Sequence, residues 1–573
     1  MKSTKTKLHG FKNARSYPSI TTGGRTLKSD ARKRSMSVAL VVTVALALVI
    51  PVAAQAQEIP WASKTSLPDY IGAPAKAHPT ANNGVPQNPF AAPNGLAHSH
   101  SDIWMSDTTN FAGALGRNPV TLSSTLAEAH QNPNSWLIPT GSFSIDSRGR
   151  LLLNTYGVDE AHIVLVDPDT LEVLASKELD VVTGDPFGQG EQKMLQSTFS
   201  IYASLDDRDQ LHIVSGNKKI VILRVNDTSS GPEFEEVGEG YNLQELTNPT
   251  DDLPQGDGIS GAIMDFQGRY WINMRNSANI YLLNPATYRD VGDLKSVNLG
   301  KGEFTRNGGA LTKEGAAYFV TTKAMYRVDA GADDQPRIVW RQEYDTVPEN
   351  TNNEEYVNGV RSGQYEFGSG TTPTILGEGK YVAITDNAEQ MKVVVYRTDA
   401  RPLDPEERVV CEMPVFDFPG GGAGAQSNSL VGLHNSIIVQ NTYGYLFHFP
   451  DSEDPTAELV QGGAPGIERI DINPNGKGCT KVWVNTEVAS TNTPKLSTRT
   501  GLIYVQDRKW DDDNNVNAYY FAALDFRTGE VVWEKLVGTG DMFDNFWAAA
   551  GIGPNGALYG TVYGGLTMLK DTY

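Results

Sequence analysis

Eight tight polar turns recur along this chain, and their regular spacing limits what the chain can fold into. They lie at intervals of 47 to 66 residues, near positions 149, 209, 268, 315, 379, 435, 501 and 556. A short apolar run precedes each turn and another follows it, as on either side of Gly149. Long runs with the 3.6-residue period of a helix are nearly absent. The repeat therefore predicts short antiparallel strands, grouped into eight similar units.

A small sheet of this kind has two apolar faces and cannot bury both by itself. Packing such sheets side by side in a ring gives every sheet a partner on each face. We therefore expect an all-β fold, a single β-propeller of seven or eight four-stranded blades over residues 141–573. The last turn leaves room for only two strands before Tyr573. Residues 57–140, rich in Pro, Asn, Ala and Gly, are expected to form an extended capping lead-in whose strands complete the ring and cover its open edge.

The first 56 residues have the pattern of a secretory signal peptide. Ten Lys or Arg and one acid come first, followed by an apolar run over residues 38–52 and then Ala-Gln-Ala at 54–56. The alternative is a membrane anchor, but the apolar run is shorter than the ~20 residues that span a bilayer. We expect cleavage after Ala56, export to the periplasm or the extracellular side, and no stable membrane span afterwards.

The charge of the expected mature chain bears on its partners. Without residues 1–56 the chain has 67 acidic and 38 basic side chains, a formal charge of −29. Phosphate binding depends on Lys and Arg, so a nucleic-acid partner is not expected. The sequence instead favours a soluble monomer with a small-molecule or protein ligand.

Cys411 and Cys479 are the two cysteines of the chain. A cysteine pair in an exported protein, with no third cysteine to compete, predicts a disulfide. Two free thiols are the alternative.

Residues 523–533 read Ala-Leu-Asp-Phe-Arg-Thr-Gly-Glu-Val-Val-Trp. This run resembles the tryptophan-docking repeat, A-x-D-x-x-T-G-x-x-x-W, of pyrroloquinoline-quinone (PQQ)-type propellers. The resemblance implies that Asp525, Thr528 and Gly529 form a turn and that Trp533 packs between neighbouring blades. Further stretches are similar to exported bacterial proteins of the quinoprotein-like superfamily, namely residues 88–117, 368–374, 384–388 and 492–504.

The resemblance covers most of the expected mature chain and implies a fold, but it does not imply one function. Quinone enzymes of this fold typically have a disulfide between adjacent cysteines, a bound calcium and often a C-x-x-C-H haem module. The chain has neither a Cys-Cys pair nor C-x-x-C-H. The motifs therefore give no support for PQQ as a cofactor, and the cofactor is left unknown.

His98, His100 and Asp102 form the sharpest local cluster of chemistry-bearing residues. On an extended strand, alternate side chains share one face, so these three would point together. Two imidazoles and a carboxylate suit a transition metal ion. The alternative is a polar entry segment in which Asp102 caps a turn.

A second candidate joins two stretches that are expected to line the central funnel. It comprises Ser369, Thr371 and Thr372 in a Gly-rich run, followed by Asp386 and Asn387 at the end of an apolar strand. The alternative is that the Gly-rich run starts an inner strand where the blades crowd the axis. Outside these stretches, Glu487 and Lys495 flank a loop that could also face the channel.

Two functions fit these features, and the sequence leaves open whether the protein is an enzyme. The first is an extracytoplasmic propeller that binds a ligand or partner in its funnel. The second is a metal-dependent or divergent quinone-type oxidoreductase, or a hydrolase, with its active site in the funnel. Motifs such as G-x-S-x-G, H-E-x-x-H and G-x-x-x-x-G-K-[ST] do not occur.

Overall fold

In the computed structural model, each of the eight recurring turns joins the two innermost strands of a separate antiparallel sheet. The structure describes residues 56–129, 138–156, 160–180, 202–216, 218–254, 256–364, 367–445, 462–545, 547–548 and 550–572. The predicted signal peptide lies outside the described residues, apart from Ala56.

The sheets are numbered as blades 1 to 8 in chain order, and the strands of each blade are given from the axis outwards. Blade 1 comprises Ile138–Ile145, Leu151–Tyr156, Ala161–Val166 and Val173–Leu179, and blade 2 comprises Ser204–Leu205, Gln210–Ser215, Lys219–Thr228 and Gly231–Glu236. Blade 3 comprises Ile259–Met264, Tyr270–Met274, Asn279–Leu283 and Lys295–Asn298, and blade 4 comprises Ala310–Leu311, Ala316–Val320, Ala324–Ala330 and Pro336–Glu343. Blade 5 comprises Thr374–Leu376, Tyr381–Thr385, Lys392–Arg397 and Val409–Pro414, and blade 6 comprises Val431–Leu433, Ser436–Gln440, Ile467–Ile472 and Cys479–Asn485. Blade 7 comprises Lys495–Ser497, Leu502–Asp511, Val516–Asp525 and Val531–Thr539, and blade 8 comprises Ala550–Ile552, Leu558–Val562, Gly565–Asp571 and Pro119–Ser124.

Among the described residues, five short strands and five short helical turns supplement the blades. The strands Tyr70–Gly72 and Thr108–Thr109 flank blade 7 on its outer and inner edges, Tyr241–Asn242 pairs with blade 2, and Tyr356–Val357 pairs with Val360–Arg361. The α-helical turns are Gln244–Thr247 and Pro405–Arg408, and the 3-10 turns are Ala127–Ala129, Val291–Asp293 and Asp541–Phe543. Among the residues that the structure describes, no helix has both the length and the apolar character needed to cross a bilayer.

Three of the eight recurring turns are held by an aspartate that starts them. Oδ1 of Asp146 accepts hydrogen bonds from the backbone N–H groups of Arg148 and Arg150, at 3.0 and 2.9 Å. Gly149 between them has a φ of 85°, which a side chain would disfavour. Asp265 binds its own turn in the same way. The sequence pattern Asp-x-x-Gly-Arg is thus a turn whose backbone donors are satisfied by the side chain at its start.

The N-terminal part of the chain closes the ring. Pro119–Ser124 pairs antiparallel with Gly565–Asp571 and forms the outermost strand of blade 8. Blade 8 packs in turn on blade 1, with the ring centroids of Tyr559 and Phe143 5.9 Å apart. The expected all-β propeller and its N-terminal closure are confirmed, with eight blades.

The core is divided among the gaps between blades. One cluster joins Leu152 and Ile163 of blade 1 to Leu211 and Ile213 of blade 2, and similar clusters fill the other gaps. Full burial of such a side chain contributes roughly 1.5–3 kcal/mol to the free energy of unfolding. This arrangement explains why no single blade could be stable alone.

The predicted disulfide is present. Cys411 and Cys479 lie on the outermost strands of blades 5 and 6, with their Cα atoms 5.8 Å apart. The bond therefore joins two neighbouring blades at the rim of the ring.

The docking motif lies where blades 6, 7 and 8 meet. The N–H of Gly529 donates to the carbonyl of Asp525 at 2.8 Å, which forms the turn. Trp533 is fully buried against Tyr504, 6.2 Å away between ring centroids. Trp483 of blade 6 covers the other side of the turn, since a Cβ on Gly529 would come within 2.4 Å of its ring.

Gly529→Ala is expected to destabilise the protein more than Gly149→Ala. Both glycines have a positive φ, at 74° and 85°, so both variants incur backbone strain of order 1 kcal/mol. A Cβ at position 149 meets no atom within 4 Å, whereas one at position 529 displaces Trp483. Thermal unfolding of the two variants measures the difference, and equal melting temperatures would show that the Trp483 contact is unimportant.

Candidate functional site: the axial pocket

Residues 96–109, here called the axial segment, run round the inner edge of the propeller. Its backbone carbonyls accept hydrogen bonds of 2.8–3.1 Å from the inner strands of six blades: Leu96 from Ile145, Ala97 from Leu205, Ile103 from Leu311, Trp104 from Ile375, Ser106 from Gly432 and Asp107 from Leu496. These contacts follow the ring in the order of blades 1, 2, 4, 5, 6 and 7. The donors are the last residues of the inner strands in blades 1, 2 and 4 and the middle residues in blades 5, 6 and 7, so the segment lies against the inner strands that surround the axis.

The backbone of the axial segment is strained at three places. Ser101, Met105 and Asp107 have φ values of 69°, 55° and 53°, in the left-handed region that non-glycine residues seldom adopt. Each such residue costs on the order of 1–3 kcal/mol and persists only where its surroundings impose it. All three are buried. The blades therefore dictate the conformation of this segment.

A cavity of about 50 Å³ lies on the axis beside the axial segment. We call it the axial pocket. Its wall combines small polar side chains with a few apolar ones, drawn from the axial segment and from the entries to six blades: Ser99, His100, Asp107, Tyr202, Asn307, Thr372, Ser427, Asn428, Ser429, Thr493, Lys495, Trp547, Ala548 and Ala550. A cavity of this size holds a few water-sized groups or one end of a larger ligand.

Three charged or titratable side chains meet at the base of the axial pocket. Oδ2 of Asp107 lies 3.0 Å from Nδ1 of His100, and Oδ1 accepts a hydrogen bond from Nζ of Lys495. Lys495 also donates to the backbone carbonyl of Ser99. Burial alone would raise the pKa of Asp107, but Lys495 and His100 outweigh burial and hold that pKa below its usual value.

The ionised carboxylate determines how His100 presents its ring. An ionised Asp107 only accepts hydrogen bonds, so Nδ1 of His100 is the donor and Nε2 of the neutral ring is an acceptor. Oγ of Ser429 lies 3.4 Å from that Nε2. In the pocket, the hydroxyl of Ser429, the imidazole of His100 and the carboxylate of Asp107 thus lie one after another in space.

A second polar pair lies on the other side of the imidazole. The ring centroids of Tyr202 and His100 are 5.8 Å apart, and the hydroxyl of Tyr202 is 2.7 Å from Oγ1 of Thr372. These groups come from blades 2 and 5, on different sides of the ring. The pocket therefore exists only when the ring is complete.

The three predicted metal ligands lie in the axial segment, but each is engaged by other groups. Nδ1 of His98 accepts a hydrogen bond from the N–H of His100 at 3.1 Å. Asp102 accepts from the N–H of Trp104 at 2.9 Å and from Oγ of Ser106. Burial raises the pKa of Asp102 to about 7 and, helped by nearby positive charge, lowers the pKa of His98 to about 3.

Within the described ranges, no group of three or more His, Cys, Asp or Glu side chains is arranged to hold a metal ion. The metal site stays a prediction, and the observed contacts of His98, His100 and Asp102 do not strengthen it.

Of the five predicted funnel residues, Thr372 lines the axial pocket. The others lie behind the pocket wall, where they hold the loop that enters blade 5. Oγ of Ser369 is 2.9 Å from Oγ1 of Thr371, and Nδ2 of Asn387 donates to two backbone carbonyls at 2.8 and 3.0 Å. Asp386 is buried beside them.

Asp386→Asn is expected to change how stability depends on pH. Burial raises the pKa of Asp386 to about 6, although the N–H groups of Ala388 and Lys392 stabilise its charge. The folded state therefore holds a proton that the unfolded state releases at lower pH, and ionisation destabilises the fold between about pH 4 and 6. Relative to the unchanged protein, the variant should gain about 1–3 kcal/mol between pH 4 and pH 7. Denaturant unfolding at these pH values tests this, and a pH-independent difference would contradict it.

Ser429, Tyr202, Asn307, Asn428 and Trp547 were not predicted from the sequence. They lie on loops from different blades and match no local motif. Their position in the repeat could have identified them, because each lies just before the innermost strand of a blade. The sequence analysis left open that Lys495 faces the channel, and Lys495 lines the axial pocket.

Comparisons with known proteins give little further guidance on the site. No protein-family model matches the chain. An uncharacterized protein of Archaeoglobus fulgidus is 28% identical over 282 residues, which are 47% of this chain and 52% of that protein. The match thus extends over about half the length of this curated relative.

The comparison with solved structures finds similarities at low sequence identity. A streptogramin B lyase structure is 12% identical and covers 77% of this chain and 95% of its own, with a TM-score of 0.34. A putative 6-phosphogluconolactonase of Bacteroides uniformis is 12% identical, covering 73% and 89%, with a TM-score of 0.31. BamB of Moraxella catarrhalis is 12% identical, covering 58% and 85%, with a TM-score of 0.27. These likenesses say nothing about the function of this chain.

Proposed function

We propose that this chain is an extracytoplasmic β-propeller that binds one end of a small neutral polar ligand in the axial pocket. The observation that carries the proposal is the axial segment, which inner strands of six blades hold in a strained backbone conformation. Such strain is retained most often where a site needs a fixed geometry. The segment places His100 and Asp107 at the pocket base.

The charges in the pocket favour a neutral ligand. Asp107 and Lys495 neutralise each other, with side chains that are 0% and 5% exposed. A ligand with its own charge would have to break this pair or remain unpaired in a buried site, and both are costly.

The remaining pocket groups favour a ligand with hydroxyl or carbonyl oxygens. Asn307 and Asn428 each donate one amide hydrogen to a backbone carbonyl. Among the described residues, their second amide hydrogen is available to an oxygen of a ligand. Trp547 and Ala548 add apolar surface beside these donors. Polyols, small amides, esters and lactones fit this combination.

Two features support a location outside the cytoplasm. The disulfide between Cys411 and Cys479 is a type of bond that persists in oxidising compartments. Residues 1–56 have the basic, apolar and small-residue pattern of a signal. Cell fractionation with intact-mass measurement tests this placement, and an uncleaved chain in the cytoplasm would refute it.

A metal-dependent or quinone-type oxidoreductase has less support from the geometry. His98 and Asp102 are engaged by neighbouring groups of the axial segment, and His100 is engaged by Asp107. The proposal that the pocket takes a neutral organic ligand uses these same contacts without disrupting them.

Saturation-transfer NMR with neutral fragments of up to ten heavy atoms (polyols, amides and lactones) and matched carboxylates tests the proposal. Neutral fragments are expected to bind, and Ala548→Phe, which fills the pocket, is expected to abolish their signal. Glu378→Phe is the control, because the side chain of Glu378 is 80% exposed on the surface. Binding that is equal in both variants, or confined to the carboxylates, would contradict the proposal.

A further inference from the structure

We propose that the axial pocket hydrolyses a small neutral carboxylic ester, with Ser429 as nucleophile, His100 as its general base and Asp107 as the group that orients His100. This inference rests on the proposed function, because the ester must enter the same pocket as the neutral ligand.

The geometry meets the requirements of such a triad. Oγ of Ser429 is 3.4 Å from Nε2 of His100, and Nδ1 of His100 is 3.0 Å from Oδ2 of Asp107. The nucleophile and its base are slightly farther apart than a tight hydrogen bond, as is common before substrate binds. All three residues line the one cavity. Triads are recognised by this geometry and by no fixed order in the sequence.

Lys495 acts as a positioning residue for the triad. It donates to the Asp107 oxygen that His100 does not use, and to the backbone of Ser99 beside His100. These contacts fix the carboxylate in one orientation. The Ser429 hydroxyl reaches the imidazole from the loop that enters blade 6, on a different part of the ring.

The reaction balances without any further reactant than water. Ser429 Oγ forms a bond to the ester carbonyl carbon while its proton passes to Nε2 of His100. The C–O bond to the leaving alcohol then breaks, and the alcohol takes that proton. Water next attacks the acyl group, giving a proton to His100. The bond to Ser429 Oγ breaks, the oxygen regains the proton, and the carboxylic acid leaves.

The pocket limits the acyl group and supplies donors for the oxyanion. The cavity of about 50 Å³ accommodates an acyl group of a few heavy atoms, such as acetyl. Asn307 and Asn428 line the same cavity and carry amide N–H groups, the kind of donor that stabilises a developing oxyanion. The alcohol part of a larger ester would lie outside this cavity.

Hydrolysis of p-nitrophenyl acetate by the full chain and labelling by methanesulfonyl fluoride, whose sulfonyl group is about the size of an acetyl group, test the triad. Ser429→Ala and His100→Gln are each expected to lower hydrolysis at least ~100-fold. The sulfonyl fluoride should label one residue, Ser429, as found by peptide mass spectrometry. Ser436→Ala is the control, since Ser436 is a buried serine in the same blade that does not line the axial pocket.

The outcomes separate the two proposals. Neutral fragments that bind the unchanged protein and Ser429→Ala alike, with no hydrolysis or labelling of either, would refute the triad and leave ligand binding intact. Hydrolysis that persists in Ala548→Phe would place the chemistry outside the axial pocket and refute the triad, whereas fragment binding that persists in this variant would refute the proposed function. Should Ser429→Ala fail to fold, the labelled position in the unchanged protein still decides, because a label elsewhere overturns the assignment.

Discussion

A chain that begins at residue 126 is expected to lose cooperative unfolding altogether. It lacks Pro119–Ser124, so the third strand of blade 8 is left with an unpaired edge. It also lacks the axial segment, whose carbonyls accept hydrogen bonds from six inner strands. A buried N–H left without its acceptor costs about 1–3 kcal/mol, so six of them cost roughly 6–18 kcal/mol, which is comparable to the whole stability of a typical domain. Circular dichroism during heating measures the transition.

The matched control is a chain that begins at residue 84. It loses Tyr70–Gly72 and its contacts on the rim of blade 7, but it keeps the axial segment and the closing strand. We expect it to unfold cooperatively at a lower temperature than the longer chain. A chain from residue 126 that melts as sharply as this control would show that the ring is stable without its N-terminal closure.

The ring itself could be predicted because its signals are local. Each turn has a residue such as Gly149 in a left-handed conformation, and three turns begin with an aspartate such as Asp146 that satisfies the backbone; both features recur in the sequence. Closure followed from counting strands after the last turn. By contrast, the path of the axial segment depends on backbone contacts with strands far away in the sequence, and backbone contacts leave no mark on side-chain pattern.

The prediction of the metal ligands stays untested, but it rested on a backbone conformation that the axial segment does not keep throughout. It assumed an extended strand, on which His98, His100 and Asp102 would share a face. Ser101 instead has a φ of 69°, which breaks the alternation between the second and third of these residues. As a result His100 bonds Asp107 and lines the axial pocket, while Asp102 caps the backbone of its own segment.

The pocket wall shows a different limit. Thr372 was predicted because the small residues of its Gly-rich run would let the backbone approach a ligand closely, whereas Ser429 follows no such run directly. Both lie just before an inner strand. Their position within the repeat therefore predicts that they lie at the axis, whereas the composition around them does not. Aligning the eight repeats by their turns would place both residues at the axis.

The buried pair of Lys495 and Asp107 is expected to show one of the largest single-residue effects in the protein. Lys495→Met leaves the ionised carboxylate of Asp107, which is 0% exposed, without its cation. Breaking a buried ion pair in this way costs about 3–5 kcal/mol. Asp107→Asn leaves the ammonium group unpaired, so it should also be strongly destabilising. Denaturant unfolding at pH 7 measures both.

The double variant, Lys495→Met with Asp107→Asn, measures how much of each single loss of stability comes from the interaction between the two charges. With both charges removed, neither is left buried alone, so the loss of stability should be smaller than the sum of the single losses by about 1–3 kcal/mol. Arg337→Met is the surface control, since its partner Asp333 and Arg337 are both more than half exposed, and its stability should hardly change. Additive losses in the double variant would mean that Lys495 and Asp107 stabilise the axial segment independently, through packing and backbone contacts instead of through their opposite charges.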